Sequence, residues 1–388
     1  MMISMNAKNN KKVRPGVALL VVLFIVMAIT ILSLGFVSRS DVELACGQNM
    51  ILRTEMDYLA ESGLEHARGL ILNPQDVSTE FWTGGTGLQL ASGGNFYDVT
   101  VNRDANDFCN YIINCNSYRR APDGSDIGRS SLEAELRLDP CIAYWAGSDT
   151  TVWPQMTING DVYCDGILTN SGTINGDAFA TDTINGTITG RKNESVSSAY
   201  PVAWPGLVST DFGPMPYYIG LTTYSADEPA GADVASNSPS WPNLAGIYYC
   251  AGNANMPGNV TINGTLVVGG DLTVSGLNNV ITAVKDFHFP ALLVGGKVLM
   301  KDGSSLVING LAQIELSIAV DPSPTISPRI DVIGGLFIHN GGVMSPSITV
   351  NVTADPAIAS IEIWPAENTA IRWSPVAGAF YRSIERIK

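Results

Sequence analysis

The stretch Lys11-Lys12-Val13-Arg14-Pro15-Gly16, followed by the apolar run Val17 to Val37, decides how this chain is organised. No charged residue lies between Arg14 and Arg39. A helix rises about 1.5 Å per residue, so the run is long enough to cross a hydrocarbon core of about 30 Å. Because the leader charges Lys11, Lys12 and Arg14 precede the run, the positive-inside bias predicts a cytoplasmic N-terminus and export of the remaining residues.

The apolar run admits three interpretations. A secretory signal peptide has an apolar region of roughly 7 to 15 residues and a small-x-small cleavage site after it. This run is longer and has no such site at its end. A plain single-pass anchor fits its length, and the third interpretation rests on Gly16, which stands directly before the apolar block and behind a basic leader.

A basic leader that ends in glycine before a long apolar helix resembles the prepilin class. The resemblance implies that a prepilin peptidase cuts on the cytoplasmic side between Gly16 and Val17, and that Val17 becomes the methylated N-terminus. Most major pilins carry a glutamate at the fifth mature position, whereas this chain has Val21. In this respect the chain resembles the minor pilins of the PilX type and the tip pseudopilin GspK of type II secretion.

The helical pattern continues beyond the apolar run and becomes amphipathic over residues 38–73. Apolar or small residues recur there at steps of three and four, namely Leu52, Met56, Leu59, Ala60, Gly63, Ala67 and Ile71. Asn73-Pro74 predicts the end of the helix, because proline disfavours the helical conformation of its predecessor. The segment Tyr58 to Ala67 resembles one that PilX-type N-terminal regions carry at this distance from the membrane.

Residues 74–140 change to the pattern of a small antiparallel sheet. Three segments are predicted as strands: Phe96–Val101, Phe108–Tyr118 and Leu132–Leu138. Arg120 to Ser125 has the composition of a turn between the last two. Three strands laid on the amphipathic helix are also the pilin arrangement, so the resemblance covers about residues 11–140 and the predicted class is α+β for this part.

Residues 141–192 and 257–360 repeat one short word. Copies of this repeat begin at Thr157, Thr173, Thr183, Thr261 and Val307, and in each copy the first residue is followed by Ile-Asn-Gly. A β-branched residue before Asn-Gly provides an inward side chain and then a corner with positive φ, which predicts a right-handed parallel β-helix. The repeated sequence is similar to the sequences of bactofilins and other polymer-forming β-helices. Two-residue hairpins of an antiparallel sandwich are the alternative.

Residues 193–256 and 361–388 lack this repeat. The first segment is rich in Pro and Ser and predicts a long excursion from one corner of the solenoid. Its aromatic residues admit two interpretations, clamps over the solenoid or a carbohydrate-binding face: Trp204, Tyr217, Tyr218, Trp241, Tyr248 and Tyr249. The C-terminal segment is expected to cover the open end of the solenoid core, and the N-terminal sheet to cap the other end.

Six cysteines match no CxxC metal pattern, so disulfides are expected in an exported chain. The candidates are Cys109, Cys115, Cys141 and Cys164. Pairing of Cys109 with Cys115 would close a short hairpin, and pairing of Cys141 with Cys164 would staple a domain junction. The connectivity stays open at this stage, and Cys46 lies close enough to the membrane to be unpaired.

The sequence contains no signature of catalysis. His66, His288 and His339 form no ligand-spaced pair, and Gly-x-Ser-x-Gly and phosphate-loop motifs do not occur. Four aspartates are close enough to line one rim where calcium would fit: Asp161, Asp165, Asp177 and Asp182. Aspartates that accept hydrogen bonds from turn amides are the simpler interpretation. We therefore expect no enzyme and no cofactor.

Together these patterns predict a non-catalytic minor pilin or pseudopilin of a type IV pilus or a type II secretion-like assembly. It would sit in a bacterial inner membrane and display a β-solenoid outside it, with other pilin subunits and the prepilin peptidase as partners and a polysaccharide as a further ligand. The net charge of −14 argues against nucleic acid. The alternative is an unprocessed envelope protein whose β-helix self-associates or adheres.

Overall fold

The computed structural model describes residues 15–72, 81–90, 93–105, 107–197, 204, 208–209, 217–219, 222–229, 231–287, 289–321, 324–356, 361–363, 371–373 and 379–387. Within these ranges the chain forms one long helix, a small antiparallel sheet and a parallel β-solenoid of about nine turns. The predicted fold class is therefore confirmed.

Helix α1 runs without a break from Pro15 to Leu72. It begins at a proline, which is tolerated in a first turn, and ends directly before Asn73-Pro74 as predicted. The predicted apolar stripe is buried at Met56, Leu59, Ala60, Gly63, Ala67 and Ile71, and Leu52 is half-buried. The amphipathic pattern thus located the face of the helix that packs on the protein.

The antiparallel sheet covers the C-terminal part of α1. Its first strands are β1 (Gly84–Leu88), β2 (Asn95–Arg103), β3 (Asn110–Arg120) and β4 (Asp126–Leu138). Strand β2 pairs with β3, and β3 with β4, in antiparallel register. Inward side chains such as Val99, Ile113 and Ala134 share one core with α1. The three predicted strands exist, with β4 six residues longer at its start than the pattern indicated.

The solenoid is built in two halves. The first comprises β5 (Ile142–Ala146), β6 (Thr150–Val152), β7 (Met156–Asn159), β8 (Asp161–Cys164), β9 (Leu168–Asn170), β10 (Thr173–Asn175), β11 (Ala178–Ala180), β12 (Ile184–Asn185) and β13 (Lys192–Asn193). Strands one rung apart pair in parallel, for example β7 with β10 and β8 with β11. The parallel pairing excludes the hairpin sandwich, so that alternative is wrong.

The second half follows a small hairpin of β14 (Tyr217–Ile219) and β15 (Thr222–Tyr224). It comprises β16 (Tyr248–Cys250), β17 (Ala254–Met256), β18 (Thr261–Asn263), β19 (Leu266–Val268), β20 (Leu272–Val274), β21 (Asn279–Thr282), β22 (Leu292–Val294), β23 (Val298–Met300), β24 (Ser305–Ile314), β25 (Ile318–Val320), β26 (Arg329–Ile338) and β27 (Thr349–Ala354). A short 3-10 helix, Lys285–Phe287, lies between β21 and β22.

The solenoid has three faces. The face that we call the covered face has the order β13-β11-β8-β5-β26-β24-β22-β19-β16. The polar face contains β18, β21, β27, β7, β10 and the first halves of β24 and β26. The third face contains β12-β9-β6 and β17-β20-β23-β25. Strands β24 and β26 turn from the polar face to the covered face at Gly310 and Gly334, whose φ values are 140° and 136°.

The rungs do not stack in chain order. The chain enters the solenoid at β5, in the middle of the stack, and winds outward to β13 at one end. It then resumes at β16, at the opposite end, and winds back until β26 pairs with β5 and β27 pairs with β7. We call this contact between the two halves the seam.

The segment 193–256 therefore has a different course from the one predicted. It leaves at Asn193, at one end of the stack, and returns at Asp227, which bridges to Tyr248 at the other end. Residues from Asp227 onward already belong to the second half, since Asp233 and Asn237 also bridge to its strands. An excursion from one corner is wrong, because the segment connects the two ends of the solenoid.

The C-terminal segment returns to the N-terminal sheet. It contains β28 (Ile361–Ile363), β29 (Ile371–Trp373) and β30 (Ala379–Ile387), and β30 pairs antiparallel with β4. The last rung, β27, lies at the seam, where β4 also enters, so the free edge of β4 is close to the returning chain. The N-terminal sheet contacts the solenoid at the seam, through Arg137 with Asp161 and Arg103 with Asp355, so the expectation that it caps an end is wrong. Residues 364–370 and 374–378 of the expected C-terminal cap lie outside the described residues.

Candidate functional site

The first half of α1 carries no covering structure among the described residues. Every side chain from Leu19 to Ile51 is exposed except that of Ala28, which is half-buried. An 18-residue window within this helix has a mean hydropathy of 2.9. By length and composition this helix can cross a membrane, and we call residues 19–51 the bare segment.

The bare segment extends well beyond the apolar run that ends at Val37. Fourteen residues separate that run from Leu52, which is about 21 Å of helix. Large apolar side chains continue here and are highly exposed: Val42 60%, Leu44 61%, Met50 73% and Ile51 70%. An anchor that only crosses the membrane does not need these side chains, whereas a helix that packs on neighbouring helices does.

The second half of α1 is held tightly by the sheet. A Cβ atom added at Gly63 would lie 2.9 Å from Cδ2 of Tyr97 and still closer to Sγ of Cys115. The Ser117 hydroxyl donates to the Met56 carbonyl at 2.7 Å, and the Ser130 hydroxyl donates to Asp57 Oδ1 at 2.6 Å. The sheet therefore fixes the orientation of a helix whose other half projects freely.

A disulfide joins the sheet to the first rung of the solenoid. Cys109 pairs with Cys141, with their Cα atoms 6.2 Å apart. Both suggested pairings are wrong. Cys109 and Cys115 lie along the same strand region, six residues apart, so extended backbone separates them by about 20 Å. Cys141 precedes β5 while Cys164 ends β8, and these strands are parallel, so the two residues lie at opposite ends.

Two ion pairs lie beside this disulfide. Arg137 of β4 donates to Asp161 Oδ1 at 2.7 Å, and the side chains of the pair are 7% and 0% exposed. Arg103 donates to Asp355 Oδ1 at 2.9 Å, with 11% and 5% exposed. The sheet thus reaches both halves of the solenoid through buried charges. Sequence reasoning missed these arginines, because an arginine on an alternating strand gives no sign of its distant partner.

The electrostatics of Asp161 follow from its burial. Burial raises the pKa of Asp161, while the Arg137 guanidinium and the amides of Cys141 and Asp177 act in the opposite direction. Those two amides donate to Asp161 at 2.7 and 2.9 Å. Burial alone would lower the pKa of Arg137, but the hydrogen bonds and charge of Asp161 outweigh it and raise that pKa. The carboxylate therefore ties β4, β5 and the next rung together.

Three of the four rim aspartates, Asp161, Asp165 and Asp177, accept hydrogen bonds from residues one rung further on. Asp177 accepts a hydrogen bond from the Arg191 amide at 2.7 Å, one rung further on, as Asp161 does from Asp177. Asp165 accepts a hydrogen bond from the Thr181 hydroxyl at 3.0 Å. For Asp161 and Asp177 the turn-amide interpretation is confirmed. Among the described residues no group of three or more His, Cys, Asp or Glu side chains could hold a metal ion.

The two described histidines each contact a polar side chain, although His66 is exposed and His339 is half-buried. His66 Nδ1 lies 3.1 Å from the Tyr97 hydroxyl, and His339 Nδ1 lies 2.6 Å from Glu315 Oε1. The His339 ring stacks on Trp204 at a centroid distance of 4.7 Å. His288 lies outside the described residues.

The covered face has an outer layer of apolar side chains. Trp145, Tyr163, Phe179, Leu293 and Phe337 belong to one buried cluster outside the main solenoid core. Trp204 packs on Trp145 at 5.2 Å, and Val196, Tyr224 and Ala226 of the connecting segment pack against the same cluster. The clamp interpretation is confirmed for Trp204, and Tyr248 and Tyr249 are buried, whereas Trp241 remains 76% exposed.

The predicted processing residues fall at the start of α1. Gly16 and Val17 lie in its first turn, whereas Lys11, Lys12 and Arg14 lie outside the described residues. The cysteine candidates divide into the disulfide pair and two buried free thiols, Cys115 and Cys164. The structure thus brings the junction residues together and leaves the processing residues at the far end of the bare segment.

No protein-family model and no curated protein matches this chain. Among solved structures it is similar to the competence-associated pilin ComZ from Thermus thermophilus. The two chains are 11% identical with a TM-score of 0.29, over 86% of this chain and 97% of that chain. Similarity at this level does not establish a shared fold.

Proposed function

We propose that this chain is a non-catalytic pilin-type subunit, a minor pilin or pseudopilin, that assembles through the bare segment and displays the solenoid outside the membrane. The observation that carries the proposal is the set of exposed apolar residues beyond the membrane-crossing run, with Met50 73% and Ile51 70% exposed. Burying such side chains against neighbouring helices contributes about 1.5 to 3 kcal/mol each. No cofactor is required for this role.

The position of the solenoid supports a minor rather than a major subunit. The solenoid is fastened to the sheet at the seam, in the middle of its stack. Its turns, about nine in all, therefore extend to both sides of the helix-bearing module. Such a body occupies much more lateral space than the module alone. A filament in which every subunit carried it would be crowded, whereas a single copy at a tip is compatible with Val21 in place of glutamate.

The β13 end of the solenoid does not favour the rival role of self-association. At the β13 end the Lys192 ammonium donates to the Gly186 carbonyl at 2.5 Å, and Arg191 pairs with Asp139 and Asp177. Lysines and ion pairs at the last strand are devices that hinder edge-to-edge addition. Assembly therefore takes place through the helix and not through the solenoid.

Assembly is tested with charges on the bare segment. Val42→Asp with Met50→Asp places two carboxylates where helices would pack, outside the apolar run. We expect loss of co-purification with the pilus or pseudopilus fraction while the protein stays in the membrane. Gln48→Asp with Asn49→Asp adds the same charge at exposed polar positions of the same helix. Equal behaviour of the two pairs would contradict assembly through these apolar residues.

Processing is tested separately by mass spectrometry of the mature N-terminus. A chain that begins at methylated Val17 is expected, and Gly16→Ala should retain the leader. Gly47→Ala is the matched control, because a Cβ atom there meets no described residue within 4 Å. A chain that keeps its leader in the unaltered protein would favour the unprocessed envelope anchor instead.

A further inference from the structure

The polar face of the solenoid is a flat, solvent-facing array. Seven described strands run in parallel across it, which at about 4.8 Å per strand spans about 29 Å. Along each strand, alternate side chains point inward, as buried Ile158 does between Thr157 and Asn159. The outward side chains form two rows, about 6.6 Å apart along the strands.

Threonine and asparagine occupy most positions of the two rows. The tripeptides Thr157–Asn159, Thr173–Asn175, Thr261–Asn263 and Asn351–Thr353 each contribute one residue to either row. The exceptions are Val280, Val307, Asp331 and Ile333. Asp331 is the one charge within the two rows, and Arg329 neutralises it at 2.6 Å. In a chain of net charge −14 this face is electrically neutral.

The asparagines are held in ladders. Asn175 Nδ2 donates to Asn159 Oδ1 at 2.8 Å, and Asn309 Nδ2 donates to Thr282 Oγ1 at 3.0 Å. Asn263 Nδ2 donates to Ser238 Oγ at 3.0 Å, which continues the array by one further rung. A primary amide has two N–H donors and an acceptor oxygen, so each ladder leaves hydrogen-bonding capacity for a ligand. Because the ladders already restrict the side chains, binding costs little conformational entropy.

The composition of the polar face selects the class of ligand. Protein interfaces are centred on aromatic residues and arginine, and the two rows contain neither. Nucleic acid and anionic lipid need clustered basic residues, and the strands of this face carry only the paired Arg329. A neutral partner that presents hydroxyl groups at regular intervals on a flat surface matches both the charge and the chemistry of these rows.

We propose that the polar face binds a neutral polysaccharide in an extended, ribbon-like conformation. The ligand lies flat on the Thr and Asn rows and exchanges hydrogen bonds with them. Trp241 lies three residues beyond Ser238 in the chain, is 76% exposed and contacts Tyr224 edge to face at 6.2 Å. Its indole ring can stack on the apolar face of a sugar.

The test uses the full chain in detergent micelles with microcrystalline cellulose and chitin as neutral probes and alginate beads as the charged probe. We expect the protein to bind at least one neutral probe. Salt screens interactions between exposed charges. Because the proposed binding uses neutral groups, raising the ionic strength from about 0.05 to about 0.5 M should leave it unchanged. Binding to neither neutral probe, or to alginate alone, would overturn the proposal.

Paired variants locate the binding surface. Thr157→Lys with Thr261→Lys places one charge on the polar face in each half of the solenoid, and we expect affinity to fall at least about tenfold. Thr169→Lys with Thr273→Lys places the same charges on strands β9 and β20 of the third face, where affinity should stay within about twofold. Equal losses in both pairs would refute the assignment to the polar face.

A second pair keeps the test decisive if the lysines disturb folding. Thr157→Val with Thr261→Val preserves shape and removes two hydroxyl groups, and a several-fold loss of affinity is expected without a change in the urea midpoint. Trp241→Ala should weaken binding as well. Unchanged affinity in both of these variants would exclude the polar face as the binding surface. The outcome does not depend on filament assembly, so it is distinguishable from failure of the pilin role.

Discussion

The N-terminal module and the solenoid solve the same packing problem in different ways. In the module, strands of 9 to 13 residues such as β2, β3 and β4 alternate inward and outward and lay one face on a helix. In the solenoid, most strands have three or four residues and bury their side chains only by stacking on the next rung. The fold of the module is thus specified by the pattern within each strand or helix. The fold of the solenoid is specified by contacts between strands of neighbouring rungs.

The seam shows what this difference requires. The first rung, β5, needs a neighbour on each side, and one neighbour comes from residues nearly 200 positions later in the chain, through pairing of Tyr144 with Leu336. The disulfide and the two buried ion pairs lie where the module meets this rung. The disulfide and the ion pairs therefore hold the stack at the seam, where its two halves meet through a long-range contact.

The largest effect is expected from Arg137→Ala, which removes a buried ion pair between the module and the solenoid. It leaves the Asp161 carboxylate, 0% exposed, without its counter-charge. Breaking a buried pair in this way costs about 3 to 5 kcal/mol. Urea unfolding of the full chain measures the loss. Arg329→Ala is the control, since the Arg329 side chain is 59% exposed and an exposed ion pair contributes little to stability. Similar losses in both variants would show that the seam is not specially fastened.

The disulfide provides the next test of the same junction. It closes a separation of 32 residues, and its loss is expected to cost about 3 to 4 kcal/mol through the entropy of the unfolded chain. Cys109→Ala with Cys141→Ala should lower the urea midpoint accordingly. Cys46→Ala, at an exposed free thiol, should not. If the double variant unfolds like the unaltered protein, the disulfide does not stabilise the contact between module and solenoid.

A smaller effect with opposite signs is expected on the helix of the module. Gly63→Ala forces a Cβ atom against Tyr97 and Cys115, and overpacking costs about 1 to 3 kcal/mol. At Gly69 no atom of the described residues lies within 4 Å of an added Cβ atom, so Gly69→Ala should gain up to about 1 kcal/mol from helix propensity. Thermal unfolding of both variants gives the comparison. A gain at Gly63 would mean that the sheet does not contact α1 as closely as described.

Thiol labelling tests the two regions without altering either. At pH 8 we expect a maleimide to react with Cys46 in the folded protein, with three further thiols after denaturation, and with two more after reduction. Burial raises the pKa of Cys115 and of Cys164 to about 12, and that of Cys250 to about 11, so these groups stay protonated and unreactive until the pH approaches those values.

Peptide mapping of the unreduced protein completes this test. It should recover Cys109 linked to Cys141. A peptide that links Cys109 to Cys115, or Cys141 to Cys164, would overturn the described connectivity. Folded-state reaction at Cys115 would show that the core between helix and sheet is open.

The accuracy of sequence reasoning follows the range of the interactions. The end of the helix near Leu72 was predictable, because Asn73-Pro74 is a local signal and the stripe from Met56 to Ile71 repeats within a few turns. Positive φ at the corner glycines was predicted from the same kind of local signal: Gly160, Gly186, Gly264 and Gly310 adopt it, whereas Gly176 does not. The disulfide partner of Cys109 and the counter-ion of Arg137 were not predictable, since both depend on which strands become neighbours.

The sequence by itself determined the membrane-length apolar run, the face of the helix that packs, the alternating strands and the parallel turns of the solenoid. These features depend on residues a few positions apart. Only the tertiary structure decided the order of the rungs, the seam between β26 and β5, the return of β30 to β4 and the neutral rows of the polar face. The physical reason is that short strands with one inward aliphatic residue can stack in many orders, so their order is selected by long-range contacts that leave no local pattern.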